Sequence, residues 1–98
     1  MSLRVVFRRA ARKEFDEAVN WYGSNSVALA NEFILEIEQA VSAAASSPQR
    51  FPQVFGDVRR AVTRRFPYAI YFRTRHESLI VLAIFHGRRN PVIWQGRI

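Results

Sequence analysis

The chain has 98 residues, 49% of them hydrophobic and 13% aromatic, and a formal net charge of +7 at pH 7. This composition predicts one domain, spanning residues 1–98, with its own hydrophobic core. The absence of cysteine excludes disulfides, thiol chemistry and thiolate zinc sites, and it fits a reducing, cytoplasmic setting. The longest apolar run, Leu79–Phe85, is far shorter than the roughly 20 residues that span a membrane, so no membrane association is expected.

The first half of the chain has the pattern of a strand followed by two helices. Leu3–Phe7 is short and rich in β-formers, which predicts a strand. Apolar residues then recur at helical spacing in two segments. The two faces that they form are Ala11, Phe15, Ala18 and Tyr22, and Ala30, Phe33, Ile37, Ala40 and Ala44. The short Gly23–Asn25 connection predicts an antiparallel helical hairpin.

An aromatic pair, Trp21 and Tyr22, ends the first predicted helix. An indole at this position could act as a stacking platform for a nucleic-acid base. The commoner role of such a pair is to cover the core at a helix end. We therefore expect both rings to pack on the core.

The second half of the chain has the pattern of three strands. In Val58–Arg65, both alternating faces carry arginine, so neither is cleanly apolar, which predicts a strand with at least one wet, cationic side. Tyr68–Arg73 and Leu79–His86 are the next two strands, and the last is apolar on both faces, as a fully buried strand is. Val92–Trp94 adds an apolar patch near the C-terminus.

This β-α-α-β-β-β order predicts an α+β fold. The helical hairpin would pack on one face of a mostly antiparallel four-stranded sheet, with the first strand beside the last. The opposite face would carry alternate residues of the arginine-rich strands. We expect that face to be open and to hold the functional surface.

The positive charge is concentrated in the second half. Residues 1–49 carry five basic and six acidic side chains, whereas residues 50–98 carry ten arginines and two acids, Asp57 and Glu77. Arginine makes paired hydrogen bonds to phosphate and carboxylate groups. A concentrated basic surface therefore predicts an anionic partner, either a nucleic acid or nucleoprotein or an acidic protein. The alternative is a surface that is basic only for solubility.

Two segments resemble a known family closely. They are Arg65–Phe72 (RFPYAIYF) and Val81–Pro91 (VLAIFHGRRNP), with looser likeness in Phe15–Tyr22 and Ser47–Pro52. Together with the element order, they make the chain similar to the RelE/ParE toxin superfamily, the growth-inhibiting toxins of type II toxin–antitoxin and plasmid stabilisation systems. The resemblance implies neutralisation by a cognate antitoxin, which the excess positive charge predicts to be a small acidic protein.

The superfamily divides into two kinds of toxin. RelE-like members are ribosome-dependent mRNA endonucleases, and ParE-like members inhibit DNA gyrase. RNA cleavage needs a base, an acid and fixed cations around the phosphate. The candidates for these roles are Arg64, Arg73, His86 and Arg88.

The nuclease pattern is incomplete, which favours the ParE-like branch. RelE-like RNases commonly place a catalytic tyrosine near the C-terminus, but no tyrosine follows His86 here. The rest of the catalytic set is also incomplete, because no lysine lies in Arg59–Arg65 and no glutamate lies in Ser46–Gly56. A lone histidine at a strand end is more often a hydrogen-bonded structural residue than a catalytic one. A degenerate toxin that only binds its antitoxin is a further alternative.

Target or nucleic-acid binding is predicted for a basic rim. Its members are Arg59, Arg60, Arg64, Arg65, Arg73, His86, Arg88 and Arg89. No metal or cofactor is expected, because the glycines are too dispersed to cradle a phosphate and the two histidines lack a carboxylate set. The oligomeric state is not indicated by the sequence.

Overall fold

The computed structural model describes residues 2–87 and 92–96. The elements follow in chain order: β1 (Arg4–Phe7), α1 (Arg9–Gly23), α2 (Val27–Ser46), a 3-10 turn (Pro48–Arg50), β2 (Gln53–Phe55), β3 (Val58–Val62), β4 (Tyr68–Arg75), β5 (Ser78–His86) and α3 (Val92–Gln95). The predicted α+β fold, a helical hairpin packed on a mostly antiparallel sheet, is confirmed. No helix in residues 2–87 and 92–96 is both long enough and apolar enough to cross a membrane.

Within these described residues, the sheet has five strands rather than the predicted four, in the order β1-β5-β4-β3-β2. The first strand lies beside the last, as predicted, and pairs with it in parallel, while the other neighbours are antiparallel. The added strand is β2, which pairs with β3 because Gly56 adopts φ 57° and turns the chain back. Glycine takes this left-handed conformation without steric cost.

The arginine-rich strand is shorter than predicted and ends at Val62 rather than Arg65. The chain bends there because Thr63 bonds to the backbone of the residues that follow. Its N–H donates to the Tyr68 carbonyl at 3.0 Å, and its hydroxyl donates to the Phe66 carbonyl. Pro67 lies in the same bend, where its missing N–H is tolerated.

The main core lies between the helices and the sheet, and Phe33 is at its centre. Phe33 of α2 has no exposed surface, and its ring lies 5.1 Å from the Tyr22 ring, 5.3 Å from Phe66 and 5.1 Å from Tyr68. Ser26 caps the same helix by accepting from the Leu29 N–H at 3.2 Å. The predicted apolar faces of both helices therefore point at one aromatic cluster.

The other face of the sheet is not the open surface that we expected. A second cluster of buried residues lies there: Val58, Leu82, Ala83, Phe85 and Trp94. A bulge in β5 helps to form it, because Phe72 pairs with Val81 and Tyr71 with Ala83, which leaves Leu82 as an extra residue. The short helix α3 brings Trp94 onto this face, where it is 2% exposed.

Replacement of Phe33 by alanine tests the central position of this ring. We expect Phe33→Ala to lower the free energy of unfolding by about 3–5 kcal/mol, because it removes a buried ring and leaves a cavity. Urea unfolding followed by circular dichroism measures the change. Leu35→Ala on the exposed side of the same helix is the matched control and should change it by less than about 0.5 kcal/mol. Equal losses in the two variants would contradict this packing.

Candidate functional site

The residues of the predicted basic rim are divided between the two faces of the sheet. On β4, Phe72 packs into the core under the helices, so its neighbours Tyr71 and Arg73 point to the other face. Arg60 pairs directly with Tyr71 and shares that face. Arg59 lies opposite Phe72 on the helix side. The strands therefore separate arginines that the sequence places side by side.

Two of the predicted binding arginines are tied to neighbouring backbone or helix. The Arg59 guanidinium donates to the Phe51 carbonyl at 2.6 Å and holds the segment that precedes β2. The Arg65 N–H donates to the Glu36 carboxylate at 2.6 Å, and its guanidinium pairs with Glu32 at 2.5 Å. These contacts fasten the bend after β3 to α2.

Arg60 and Arg64 are exposed members of the predicted rim, like Arg65, but they differ from it in ion pairing. Arg64 lies in the bend that follows β3 and not in a strand. Neither side chain forms an ion pair with any residue of the part of the chain that the structure describes. Val62 lies between them in sequence and is 65% exposed. These three neighbours form an exposed basic and apolar surface that a macromolecule can contact directly.

Arg73 lies in a cluster that the sequence did not indicate. Its guanidinium donates to Asp57 at 2.8 Å, and Arg75 donates to the other oxygen of the same carboxylate at 2.8 Å. Burial disfavours ionisation of Asp57, but hydrogen bonds and charge from Arg75 and Arg73 outweigh it and hold its pKa below the ordinary value. The only sequence signal was that Asp57 is one of two acids among the ten arginines of this half.

His86 lies on the helix side of the sheet, away from Arg73. It pairs with Tyr68 in the β4–β5 register, and the two rings are 5.4 Å apart. Both line a cleft of about 580 Å³ between α1 and the end of β5, together with Glu14, Glu17 and Trp21. The Glu14 carboxylate accepts from the Ile84 N–H at 3.0 Å, beyond the point where β1 stops pairing with β5. The nuclease candidates Arg73 and His86 therefore do not converge.

The expectation for Trp21 was wrong, and that for Tyr22 was right. Trp21 is 65% exposed beside the cleft, with its ring edge-on to Tyr22 at 5.2 Å. Tyr22 packs on the core, and burial raises the pKa of its hydroxyl. Successive helical residues point about 100° apart, so one ring faces the core and the other faces solvent.

The remaining predicted residues, Arg88 and Arg89, lie outside the described residues, in the gap between 87 and 92. Within the described ranges, no group of three or more histidine, cysteine, aspartate or glutamate side chains comes together as metal ligands would.

A second hollow, the β1–α2 groove, lies at the other edge of the sheet. It encloses about 340 Å³ and is lined mainly by apolar side chains, including Val5, Phe7 and Val41. The Arg12 guanidinium lies 4.6 Å from the centre of the Phe7 ring at its wall. In the described part of the chain, β1 is an edge strand that pairs with β5 on one side. The groove thus combines apolar surface, a cation and an open strand edge.

Comparison with known proteins agrees with this architecture. The family model described as the ParE toxin of the type II toxin–antitoxin system parDE matches residues 5–91. The chain belongs to the ParE toxin family. The ParE-like assignment made from the sequence is therefore confirmed. No curated protein sequence matches the chain.

The fold of this ParE-family toxin is also similar to a solved structure. That structure is described as the chromosomal ParDE TA system from P. aeruginosa, and it superposes with a TM-score of 0.72 at 18% sequence identity. The match covers 87% of this chain and 96% of that one. At this level of identity, the likeness establishes the shared fold.

Replacement of Asp57 by asparagine tests the ion pairs in the toxin. At pH 7, we expect Asp57→Asn to lower the free energy of unfolding by about 1 kcal/mol, a modest value because the carboxylate is 42% exposed. The folded-state pKa is lowered, so this stabilisation is present above the unfolded pKa of about 3.9 and is lost as pH falls through the folded value. The difference between the two proteins should therefore shrink at acid pH.

Urea unfolding at neutral pH and at about pH 3, below the unfolded pKa, provides the measurement. Glu77→Gln removes the other acid of the same half, from an exposed turn, and should change stability by less than about 0.5 kcal/mol at both pH values. A difference for Asp57→Asn that is as large at acid pH as at neutral pH would contradict the assignment.

Proposed function

We propose that this chain is a single-domain cytoplasmic toxin that inhibits DNA gyrase by binding it and that a cognate acidic antitoxin neutralises it. The observation that carries the proposal is the match of residues 5–91 to the ParE toxin family. The net charge of +7 fits an anionic target complex and an acidic neutralising partner. In this proposal, the toxin inhibits gyrase by binding to it and not by a chemical reaction.

The arrangement of the candidate residues favours binding over RNA cleavage. Cleavage would need an acid, a base and phosphate-holding cations within a few ångströms of one phosphate. Arg73 is paired with Asp57 on one face of the sheet, whereas His86 lies beside Tyr68 on the other. A single phosphate cannot contact both side chains in this fold.

The proposed contact surface for gyrase includes the exposed basic segment after β3. Arg60 and Arg64 are both exposed and flank the 65% exposed Val62. Interfaces commonly combine arginine with apolar side chains, because the guanidinium is planar and weakly hydrated. Arg88 and Arg89 are proposed to extend the same target-binding set, which rests on their sequence alone.

The β1–α2 groove is the proposed binding site of the antitoxin. An acidic, partly disordered segment that folds on binding could add backbone hydrogen bonds at the open edge of β1 and bury apolar side chains against Val41. Arg12 would attract its carboxylates. The predicted source of this segment is a small acidic protein encoded beside the toxin.

A supercoiling assay tests the gyrase proposal. Purified toxin should inhibit supercoiling of relaxed plasmid by gyrase, and the double variant Arg60→Gln/Arg64→Gln should need about tenfold more protein for the same inhibition. Arg9→Gln/Arg50→Gln removes the same charge from two exposed arginines elsewhere and should stay close to wild type. Normal supercoiling at excess toxin would count against the proposal. New cuts at A-site codons in primer extension after induction would support an mRNA endonuclease instead.

A substitution that fills the β1–α2 groove tests the proposed antitoxin-binding site. Ser42 lines the groove, whereas the adjacent Ala43 is exposed and does not. We expect Ser42→Trp to weaken binding of the acidic protein encoded beside the toxin by about tenfold or more, since the indole occupies the space that the partner needs. Ala43→Trp is the matched control and should bind as wild type does. Isothermal titration measures the affinity of both variants for the acidic protein, and equal affinities would exclude the groove as the binding site.

A further inference from the structure

One carboxylate of the toxin holds two guanidinium groups on the sheet face opposite the helices. Asp57 accepts from Arg73 through one oxygen and from Arg75 through the other, each at 2.8 Å. We call Arg73 and Arg75 the arginine fork. Arginine characteristically binds carboxylates in this kind of multi-point contact. The fork is therefore a formed carboxylate site, and its present ligand belongs to the chain itself.

This internal ligand leaves buried donors unsatisfied. The Arg73 side chain is only 12% exposed, and its Nε is buried without a hydrogen-bond acceptor among the residues that the structure describes. The Trp94 Nε1 is also buried, with no acceptor in residues 2–87 and 92–96. The Trp94 ring stacks on Tyr71 at 4.1 Å, two residues before Arg73 on the same face. Buried donors are normally paired. A shortage of acceptors beside Asp57 favours an additional oxygen ligand at this place.

Asp57 is placed where it can leave the fork. It follows Gly56 in the turn between β2 and β3, and its side chain is 42% exposed. β2 is an edge strand of three exposed residues, and a change of the Asp57 side-chain rotamer need not move Val58, the buried residue that follows it. Arg75 is itself 51% exposed, which leaves the fork open to an incoming group. Exchange of Asp57 for another carboxylate needs only a surface rearrangement.

The surroundings of the fork favour a protein ligand. Phe55 is 43% exposed and lies 5.9 Å from the Trp94 ring, and Ile93 and Val92 of α3 are 47% and 64% exposed. A partly desolvated arginine beside exposed apolar side chains is the usual composition of a protein interface. Asp57 also shows that the fork accepts a carboxylate in this geometry.

We propose that the arginine fork is a binding site for a carboxylate side chain from an acidic segment of a partner protein and that Asp57 occupies it in the free chain. The partner carboxylate would displace Asp57, and an apolar residue beside it would rest on Phe55 and α3. This proposal goes beyond the gyrase assignment, because it defines a ligand class and an internal competitor whichever macromolecule the toxin inhibits.

Binding of a fluorescein-labelled oligoglutamate peptide, followed by fluorescence anisotropy at about 0.15 M salt, tests the site. Asp57→Asn removes the competing carboxylate charge from the fork, leaves only a neutral amide oxygen for Arg73, and should tighten peptide binding about tenfold. Glu77→Gln makes the same change in net charge two residues from Arg75 and should stay within about twofold of wild type. Equal tightening in the two variants would mean that net charge alone acts, and it would overturn the proposal.

A second variant keeps the test decisive if Asp57→Asn is poorly folded. Arg75→Gln, made in the otherwise wild-type chain, leaves the Arg73–Asp57 pair intact and should bind the peptide about tenfold more weakly than wild type. Arg50→Gln, at another exposed arginine, should not weaken binding. Peptide binding should also shift the NMR signal of the Trp94 indole N–H and not that of Trp21. Equal effects of Arg75→Gln and Arg50→Gln, or an unmoved Trp94 signal, would contradict the site.

A nucleic-acid probe separates the two ligand chemistries. An oligothymidylate of matched charge should gain less from Asp57→Asn than the peptide does. An equal or larger gain would make the fork a phosphate site and would overturn the carboxylate assignment. None of these measurements uses gyrase, so failure here is distinguishable from failure of the proposed function.

Discussion

Strand β5 is apolar on both faces, and the rest of the fold depends on covering it. Val81 and Ile84 pack under the helices, while Leu82 and Phe85 are buried on the other face. Burial of such side chains contributes roughly 1.5–3 kcal/mol each, so neither face can be left in water. The helical hairpin covers one face. The short α3 covers part of the other with Trp94, and the bulge at Leu82 lets two consecutive residues reach that second cluster.

Because both faces of β5 are buried, the fold determines which arginine side chains are exposed and which are enclosed. A sheet with one open face could present all its arginines together, but α3 occupies the face that would have held them. Arg73 is consequently largely enclosed beside the second cluster and takes Asp57 as its ion-pair partner. Arg59 and Arg65 are committed to backbone and helix contacts on the other side. The positive charge is thus divided between arginines held by contacts within the chain, such as Arg59 and Arg73, and the exposed Arg60 and Arg64, which form no ion pair with the described residues.

The sequence predicted the features that depend on periodicity. Helix faces and the buried strand follow from apolar spacing, and both were found as expected. β2 was missed because its three residues are all exposed and carry no alternating pattern. α3 was missed because four residues are too few to show a helical period.

The site was harder to predict than the fold, because its contacts join residues distant in sequence. The Asp57 ion pairs span 16 and 18 positions, and no local pattern connects them. The face on which an arginine lies depends on where its strand ends and which neighbour it meets. Because β3 ends at Val62, Arg64 lies outside the sheet. The pattern of arginines in the sequence could not reveal where the strand ends. The family resemblance, in contrast, lies in contiguous segments and was visible directly.

We propose that this ParE-family chain acts by occupying gyrase and not by cutting RNA. Isothermal titration of purified toxin into purified gyrase tests it most directly. We expect a saturable complex of defined stoichiometry that forms without RNA or ribosomes. Absence of any complex with gyrase, together with cleavage of mRNA on translating ribosomes by the same preparation, would contradict it.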